Sequence, residues 1–218
     1  MKRDSIMNGT PSPLRLGEPA PDFTARSTAG SIRLSDYRGR WLVFFTHPAD
    51  FTPVCTSEFV ALTRASAEFE ALGCELLGLS VDSLFSHLAW VRAIHDRFGV
   101  EVRFPIIEDP TMEIAKAYGM VAPDAVDAAA VRTMMILDPE GVLRASNNYP
   151  AEVGRSIPEI LRTVHALQRV HGGGVLAPAD WTPGNDLLRE PRQRVADIVS
   201  AAASSDWFYQ PVPDVART

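Results

Sequence analysis

Cysteine is scarce in this chain: Cys55 and Cys74 are the only two among 218 residues. Two thiols cannot build the dense disulfide framework of a small secreted domain. Positive charge is also in deficit, with 21 Lys and Arg against 27 Asp and Glu, a net charge of −6. No basic cluster offsets it, so neither nucleic acid nor an anionic membrane surface is an expected partner. No run approaches the roughly 20 apolar residues that span a bilayer. Met1 to Thr10 carries Lys2 and Arg3 without an apolar segment behind them, so no secretory signal is expected. Internal repeats and low-complexity tracts are missing too. Together these absences point to a reducing cytoplasm, where free thiols stay available for chemistry.

What is there is an ordinary globular balance, 46% hydrophobic and 22% charged, enough for a sizeable core. Residues 1–20 read as a loose lead-in. Ser31 to Leu34 reads as a hairpin strand, and Trp41 to Phe45 as a strand buried on both faces. Phe59, Leu62, Phe69 and Leu72 keep a helical period from about Pro53 to Leu72, and Gly73 stops it. Leu76 to Val81 is a second buried strand. Asp82 and Ser83 offer caps for a helix with Leu84, Leu88, Val91 and Ile94 on one face. Phe104 to Ile107 is extended, and Asp109-Pro110 opens a brief helix to Tyr118. Thr133 to Leu137 and Val142 to Ala145 flank the turn Asp138-Pro139-Glu140-Gly141 as a hairpin. Ser156 and Glu159 form a capping box for a helix ending before Gly172-Gly173-Gly174. Strands alternating with helices predict an α/β fold with a mixed central sheet flanked by helices.

The chemistry concentrates in Thr46 to Glu58, between the first buried strand and the first turn of the first helix. Sites in open α/β sheets form at the carboxyl ends of strands. A helix N-terminus supplies unpaired N–H groups and about half a positive charge. Both favour the thiolate of Cys55, the nucleophilic form. Thr52, one turn earlier, is placed to donate its hydroxyl to the sulfur, and Pro48 and Pro53 stiffen the loop and shield it from water. A lone cysteine is also commonly a small buried hydrophobe, and on position and neighbours alone both readings stay open.

Pro48-x-x-x-Thr52-x-x-Cys55 matches the peroxiredoxin active-site signature, and His47-Pro48-Ala49-Asp50-Phe51-Thr52-Pro53-Val54-Cys55-Thr56 resembles its 1-Cys branch. The likeness follows segment order over roughly residues 14 to 190. It implies a thioredoxin-like fold over 14–172, with 173–218 as a C-terminal extension packing on the core or on a partner subunit. It also implies reduction of hydrogen peroxide and organic hydroperoxides through a Cys55 sulfenic acid, without metal, haem or flavin, by a homodimer or higher homo-oligomer. On that resemblance Cys55, Thr52, Arg132, Pro48 and His47 form the catalytic set, with Arg132, Thr52 and Arg155 contacting the substrate. His47 would orient or polarise the peroxide, and the Thr52 oxygen would accept its O–H. Arg132 stands where the family carries an arginine, at the start of the hairpin strand, and Arg155 matches a second one.

A partner thiol for Cys55 is what the sequence does not offer. Cys74 lies at the far end of the predicted helix, and about 17 helical residues separate the two by roughly 25 Å. A disulfide needs Cα atoms within about 7 Å. Cys74 therefore reads as structural, and the extension contains no cysteine, so an external thiol is expected to regenerate the enzyme. Two rivals remain: a redox sensor or holdase with the same motif, and a two-cysteine enzyme resolving through Cys74 of another subunit. The lipase-like Gly-Asp-Ser-Trp-Gly of some animal relatives is replaced by Arg38-Gly39-Arg40-Trp41-Leu42, without a serine, so that activity is not expected. His87, His95, His165 and His171 show no metal-ligand spacing and read as surface or packing residues.

Overall fold

A computed structural model describes residues 14–122, 124, 131–199 and 206–215. The chain divides into two compact units, one up to Ile157 and one from Pro158. The first contains β1 (Thr24–Ser27), β2 (Gly30–Arg33), a 3-10 turn (Leu34–Tyr37), β3 (Trp41–Thr46) and α1 (Pro53–Arg64). It continues with α2 (Ser66–Ala71), β4 (Cys74–Ser80), α3 (Leu84–Phe98), β5 (Ile106–Glu108), α4 (Glu113–Ala117), β6 (Val131–Leu137) and β7 (Leu143–Pro150). The helix α5 (Ile157–Val170) leads into the second unit, which adds β8 (Val175–Leu176), β9 (Leu187–Arg189), α6 (Val195–Val199) and β10 (Pro211–Val212).

The strands of the first unit form one mixed sheet in the order β2-β1-β5-β4-β3-β6-β7. Its centre is parallel, β3 with β4 and β4 with β5, and the remaining pairings are antiparallel. Every residue of β3 is buried. Leu42 and Phe44 join Leu77, Leu79, Tyr118 and Met135 in one core cluster. Phe45 meets Phe59 and Phe104 in a second set of aromatic contacts. Side chains alternate across a strand, so an unbroken apolar run is what a doubly covered strand requires.

Several expected elements shift. The single helix from Pro53 to Leu72 is two helices, because the backbone at Ala65 leaves helical geometry (φ −87°, ψ 3°). The brief helix after Asp109 begins at Glu113, not Pro110. Asp109 still caps it at longer range, its carboxylate accepting the N–H groups of Ile114 and Ala115. On α3 the buried face is His87, Trp90 and Ile94, while Leu88 is largely exposed. Polar anchors explain the rotation: His87 and Trp90 both hydrogen-bond into the α1 side of the fold. Caps agree with expectation elsewhere, since Ser83 accepts from the Ser86 N–H and Gly99 closes α3 in the left-handed region (φ 65°). The hairpin turn places Gly141 at φ 69° and lets the Asp138 carboxylate accept the Val142 N–H.

In the second unit β8, β9 and β10 form a small antiparallel sheet, and Arg169 of α5 pairs with Asp214. Trp181 is buried, its indole N–H donating to the Asn185 carbonyl and its own carbonyl accepting from Arg162. Phe208 and Tyr209 are exposed, so of these aromatics it is Trp181 that the extension buries.

Candidate active site

The loop after β3 turns sharply at Phe51, a non-glycine residue in the left-handed region (φ 58°). The chain then re-enters extended geometry at Thr52, the cap of α1, and Pro53 fills the first helical position. This puts Cys55 in the first turn of α1, at the carboxyl end of β3. The Cys55 side chain is fully buried and in no disulfide.

A buried charge cluster surrounds its sulfur. Arg132, on β6, donates from Nη1 to Cys55 Sγ at 3.2 Å and to Glu58 Oε2 at 2.9 Å. Its Nε and Nη2 both reach the Ala151 carbonyl, at 3.1 and 2.6 Å. Arg155 donates to Glu58 from its backbone N–H, Nε and Nη2, each at 2.8 Å, and from Nη1 to the Thr133 carbonyl. Its guanidinium also lies 4.9 Å from the Phe45 ring centroid. Burial alone would raise the Glu58 carboxyl, but the Arg155 hydrogen bonds and both guanidinium charges hold it below the ordinary carboxylate range. Two fixed cations against one carboxylate leave one positive charge in excess beside Cys55. Buried charges stand only when paired, and Cys55 Sγ is a further buried atom that Arg132 Nη1 touches.

The other expected residues sit close by with different partners. The Thr52 hydroxyl donates to the Ala49 carbonyl at 2.8 Å rather than to the sulfur, which leaves its oxygen as an acceptor. Pro48 is buried within the loop. His47 is buried with its ring against Phe59 and Trp90, and Nε2 lies 2.9 Å from Asp50 Oδ1. Burial pushes the His47 imidazole down despite the Asp50 carboxylate, so it is held neutral. Burial opposes Asp50 ionisation as well, yet hydrogen bonds from His47 and His87 hold this carboxyl well below its usual range. A cleft of about 750 Å³ runs between α1 and α3, lined by Phe51, Val60, Trp90, Ile94 and Phe98; Cys55 does not line it.

Three site residues escaped the sequence reading. Glu58 was legible as an acid on the helix face that carries Cys55, Phe59 and Leu62, a position where a carboxylate requires a buried partner. Asp50 lay within the motif but drew no role. His87 was read as an ordinary packing histidine and is a buried member of a His47–Asp50–His87 set; nothing in its spacing reveals contacts across 37 residues. Cys74 opens β4, buried, and burial pushes its thiol up to about 12.

Comparison with known proteins agrees with this geometry. The AhpC/TSA family model matches residues 16–146. A peroxiredoxin 2 from Caldanaerobacter subterraneus is 49% identical over 200 residues, covering 89% of this chain and 90% of that protein. A peroxiredoxin from Aquifex aeolicus is 51% identical over 170 residues, 78% and 77% of the two chains. Among solved structures, a yeast mitochondrial 1-Cys peroxiredoxin superposes with a TM-score of 0.75 at 36% identity, over 82% of this chain and 87% of that one. Peroxiredoxin 6 of Arenicola marina gives 0.76 at 35% identity, over 85% and 87%. The fold is thioredoxin-like. Among the described residues no helix is long and apolar enough to cross a membrane. The cysteine motif on a helix N-terminus, the Arg132 guanidinium on its sulfur and close kinship over most of the chain lead to one conclusion: the protein belongs to the peroxiredoxin (AhpC/TSA) family and is a thiol peroxidase.

Proposed function

We propose that the enzyme works by a 1-Cys mechanism. The Cys55 thiolate attacks the terminal oxygen of hydrogen peroxide or an organic hydroperoxide. The S–O bond forms as the O–O bond breaks, the departing hydroxide or alkoxide takes from solvent the proton released when the Cys55 thiol ionised, water or an alcohol leaves, and Cys55 becomes a sulfenic acid. The observation that carries this reading is the 3.2 Å contact from Arg132 Nη1 to Cys55 Sγ, within a cluster whose charge is balanced by a thiolate. Arg132 stabilises the thiolate and the charge developing on the departing oxygen. Glu58 fixes the fork of Arg155 and one arm of Arg132. Arg155 acts mainly by holding that carboxylate, with its remaining donor Nη1 turned to Thr133. The Thr52 oxygen accepts the peroxide O–H, Pro48 shapes the loop, and His47 orients the bound peroxide.

An external thiol then reduces the sulfenic acid to regenerate Cys55. The solved yeast mitochondrial 1-Cys relative is described as resolved through glutathione and thioredoxin systems, and a thiol of either class is our proposal here. A resolving role for Cys74 is disfavoured because a buried thiol pushed up to about 12 supplies almost no thiolate at neutral pH. We further propose a homo-oligomer working in a reducing cytoplasm, with residues 173–218 forming an extension that packs on the core or on a partner subunit.

The direct test is peroxide consumption with excess thiol over many turnovers. Cys55→Ser is expected to give a folded protein with no peroxidase activity. Retention of activity within a few-fold would sink the mechanism. Consumption that stops after one equivalent in the unaltered protein, whichever thiol is supplied, would favour a sensor instead.

A further inference from the structure

Among the described residues, the ring of the buried His87 meets two hydrogen-bond acceptors. Nδ1 lies 2.8 Å from Asp50 Oδ2, and Nε2 lies 3.2 Å from the Ile107 carbonyl of β5. A carbonyl oxygen only accepts, so Nε2 carries a hydrogen. An ionised carboxylate also only accepts, so Nδ1 carries one as well. Asp50 takes a further hydrogen bond on Oδ1 from His47 Nε2 at 2.9 Å, and its backbone N–H donates to Asp82 Oδ2. His47 must therefore bear its hydrogen on Nε2. Its Nδ1 is then a bare lone pair, fully buried, with no hydrogen-bond partner among the described residues. Buried polar atoms left unmatched are costly and rare, and a bare acceptor beside a reactive cysteine motif points to a hydroxyl donor supplied from outside.

We infer that His87 is a doubly protonated positioning residue that, through Asp50, fixes His47 in the tautomer whose Nδ1 is an open acceptor for the hydroxyl of the substrate. This deepens the peroxidase reading and rests on it, since a hydroperoxide is a hydroxyl donor of that class. The logic is that of a carboxylate orienting an imidazole, extended by one residue: His87 neutralises Asp50 in the interior. The charged groups around the pair are few. Asp50 and His47 face His87 from the loop after β3, and β5 offers the Ile107 carbonyl to its ring. Asp82 binds the backbone of Asp50, Glu108 caps α3 at the Leu84 N–H, and the Arg155 guanidinium bears on His47 and disfavours a second proton there.

The test is long-range proton–nitrogen correlation NMR of the reduced, uniformly ¹⁵N-labelled full chain at pH 7, assigned with single histidine variants. His87 is expected to show two protonated nitrogens and His47 a protonated Nε2 with an unprotonated Nδ1. His87→Leu should shift His47 towards the other tautomer or a mixture and slow peroxide reduction at least about tenfold, less than the roughly 10²-fold or more of a group that itself transfers the proton, because His87 acts through His47. His87→Asn keeps one donor for Asp50 and should keep the His47 tautomer. A neutral His87, a His47 protonated on Nδ1, or a His87→Leu protein with an unchanged tautomer and rate would each overturn the inference. Should His87→Leu fail to fold, the spectra of the unaltered and His87→Asn proteins decide it. Loss of the peroxidase reading itself would show separately, as activity surviving in Cys55→Ser.

Discussion

At the residue scale, the site is governed by how few donors are aimed at one sulfur. Arg132 reaches Cys55 with a single N–H while its other arms are tied to Glu58 and Ala151. Because a guanidinium is always charged and rigidly forked, its position rather than its protonation state sets its effect. Arg132→Met should slow thiol alkylation and sulfenate formation by about 10²-fold or more, in line with losses at other preorganised donors. The rate of thiol alkylation checks this, and an unchanged rate would remove Arg132 from the site. Cys55, Thr52, Pro48 and His47 were legible because they are local, spaced along one loop and helix turn. Arg132 was found only through family resemblance, as its approach depends on how β6 pairs with β3. The Thr52 hydroxyl, expected to donate to the sulfur, donates to the Ala49 carbonyl instead.

At the element scale, α1 presents Cys55 and Glu58 to the charge cluster and Phe59 to the core from one face. Phe59 is fully buried and touches Phe45, His47, Trp90 and Phe104 through ring contacts of 4.5–5.7 Å. Trp90 of α3 also donates to the Thr56 hydroxyl at 3.2 Å, tying the two helices together beside the site. Phe59→Ala should cost about 3–5 kcal/mol of stability, the range for emptying a core of an aromatic side chain. Chemical denaturation measures it; a loss below about 1 kcal/mol would show that the aromatic cluster does not hold α1 in place. Strands and their order of appearance could be read from unbroken apolar runs such as Trp41 to Phe45. The helix faces were harder. On α3 the apolar residues Leu84, Leu88, Val91 and Ile94 suggested one face; Ile94 is buried, and hydrogen-bonded His87 and Trp90 join it in place of Leu88. Periodicity counts hydrophobic side chains and is blind to polar anchors buried by a partner elsewhere in the chain. The break at Ala65 was hidden for a similar reason, since no glycine or proline marks it.

At the scale of the whole molecule, the buried ionisable groups make stability depend on pH. Asp50 and Glu58 have folded-state pKa values below their ordinary ones. Their contribution is full above the unfolded values, about 4, and is lost as pH falls below them. His47 is buried neutral, its folded pKa below the unfolded value of about 6.5. Unfolding takes up a proton there, so stability should already decline as pH falls below about 6.5. Denaturant midpoints measured from about pH 6.5 down to about pH 3 should fall in two stages, and a flat profile between about pH 6.5 and about pH 4.5 would contradict the account of His47.

The central claim is that Cys55 alone carries the oxidation, with no protein thiol to trap its product. Cys74 is buried at the start of β4, its thiol pushed up to about 12. Without an outside thiol the Cys55 sulfenic acid should persist, meet further peroxide and climb to sulfinic and sulfonic acid. Peptide mass spectrometry after graded peroxide, with no reductant present, tests this most directly. The account predicts one, two and then three added oxygens on the Cys55 peptide, an unmodified Cys74 peptide, and the same pattern in Cys74→Ala. A disulfide joining Cys55 to Cys74, within or between chains, would contradict it and make Cys74 the resolving residue.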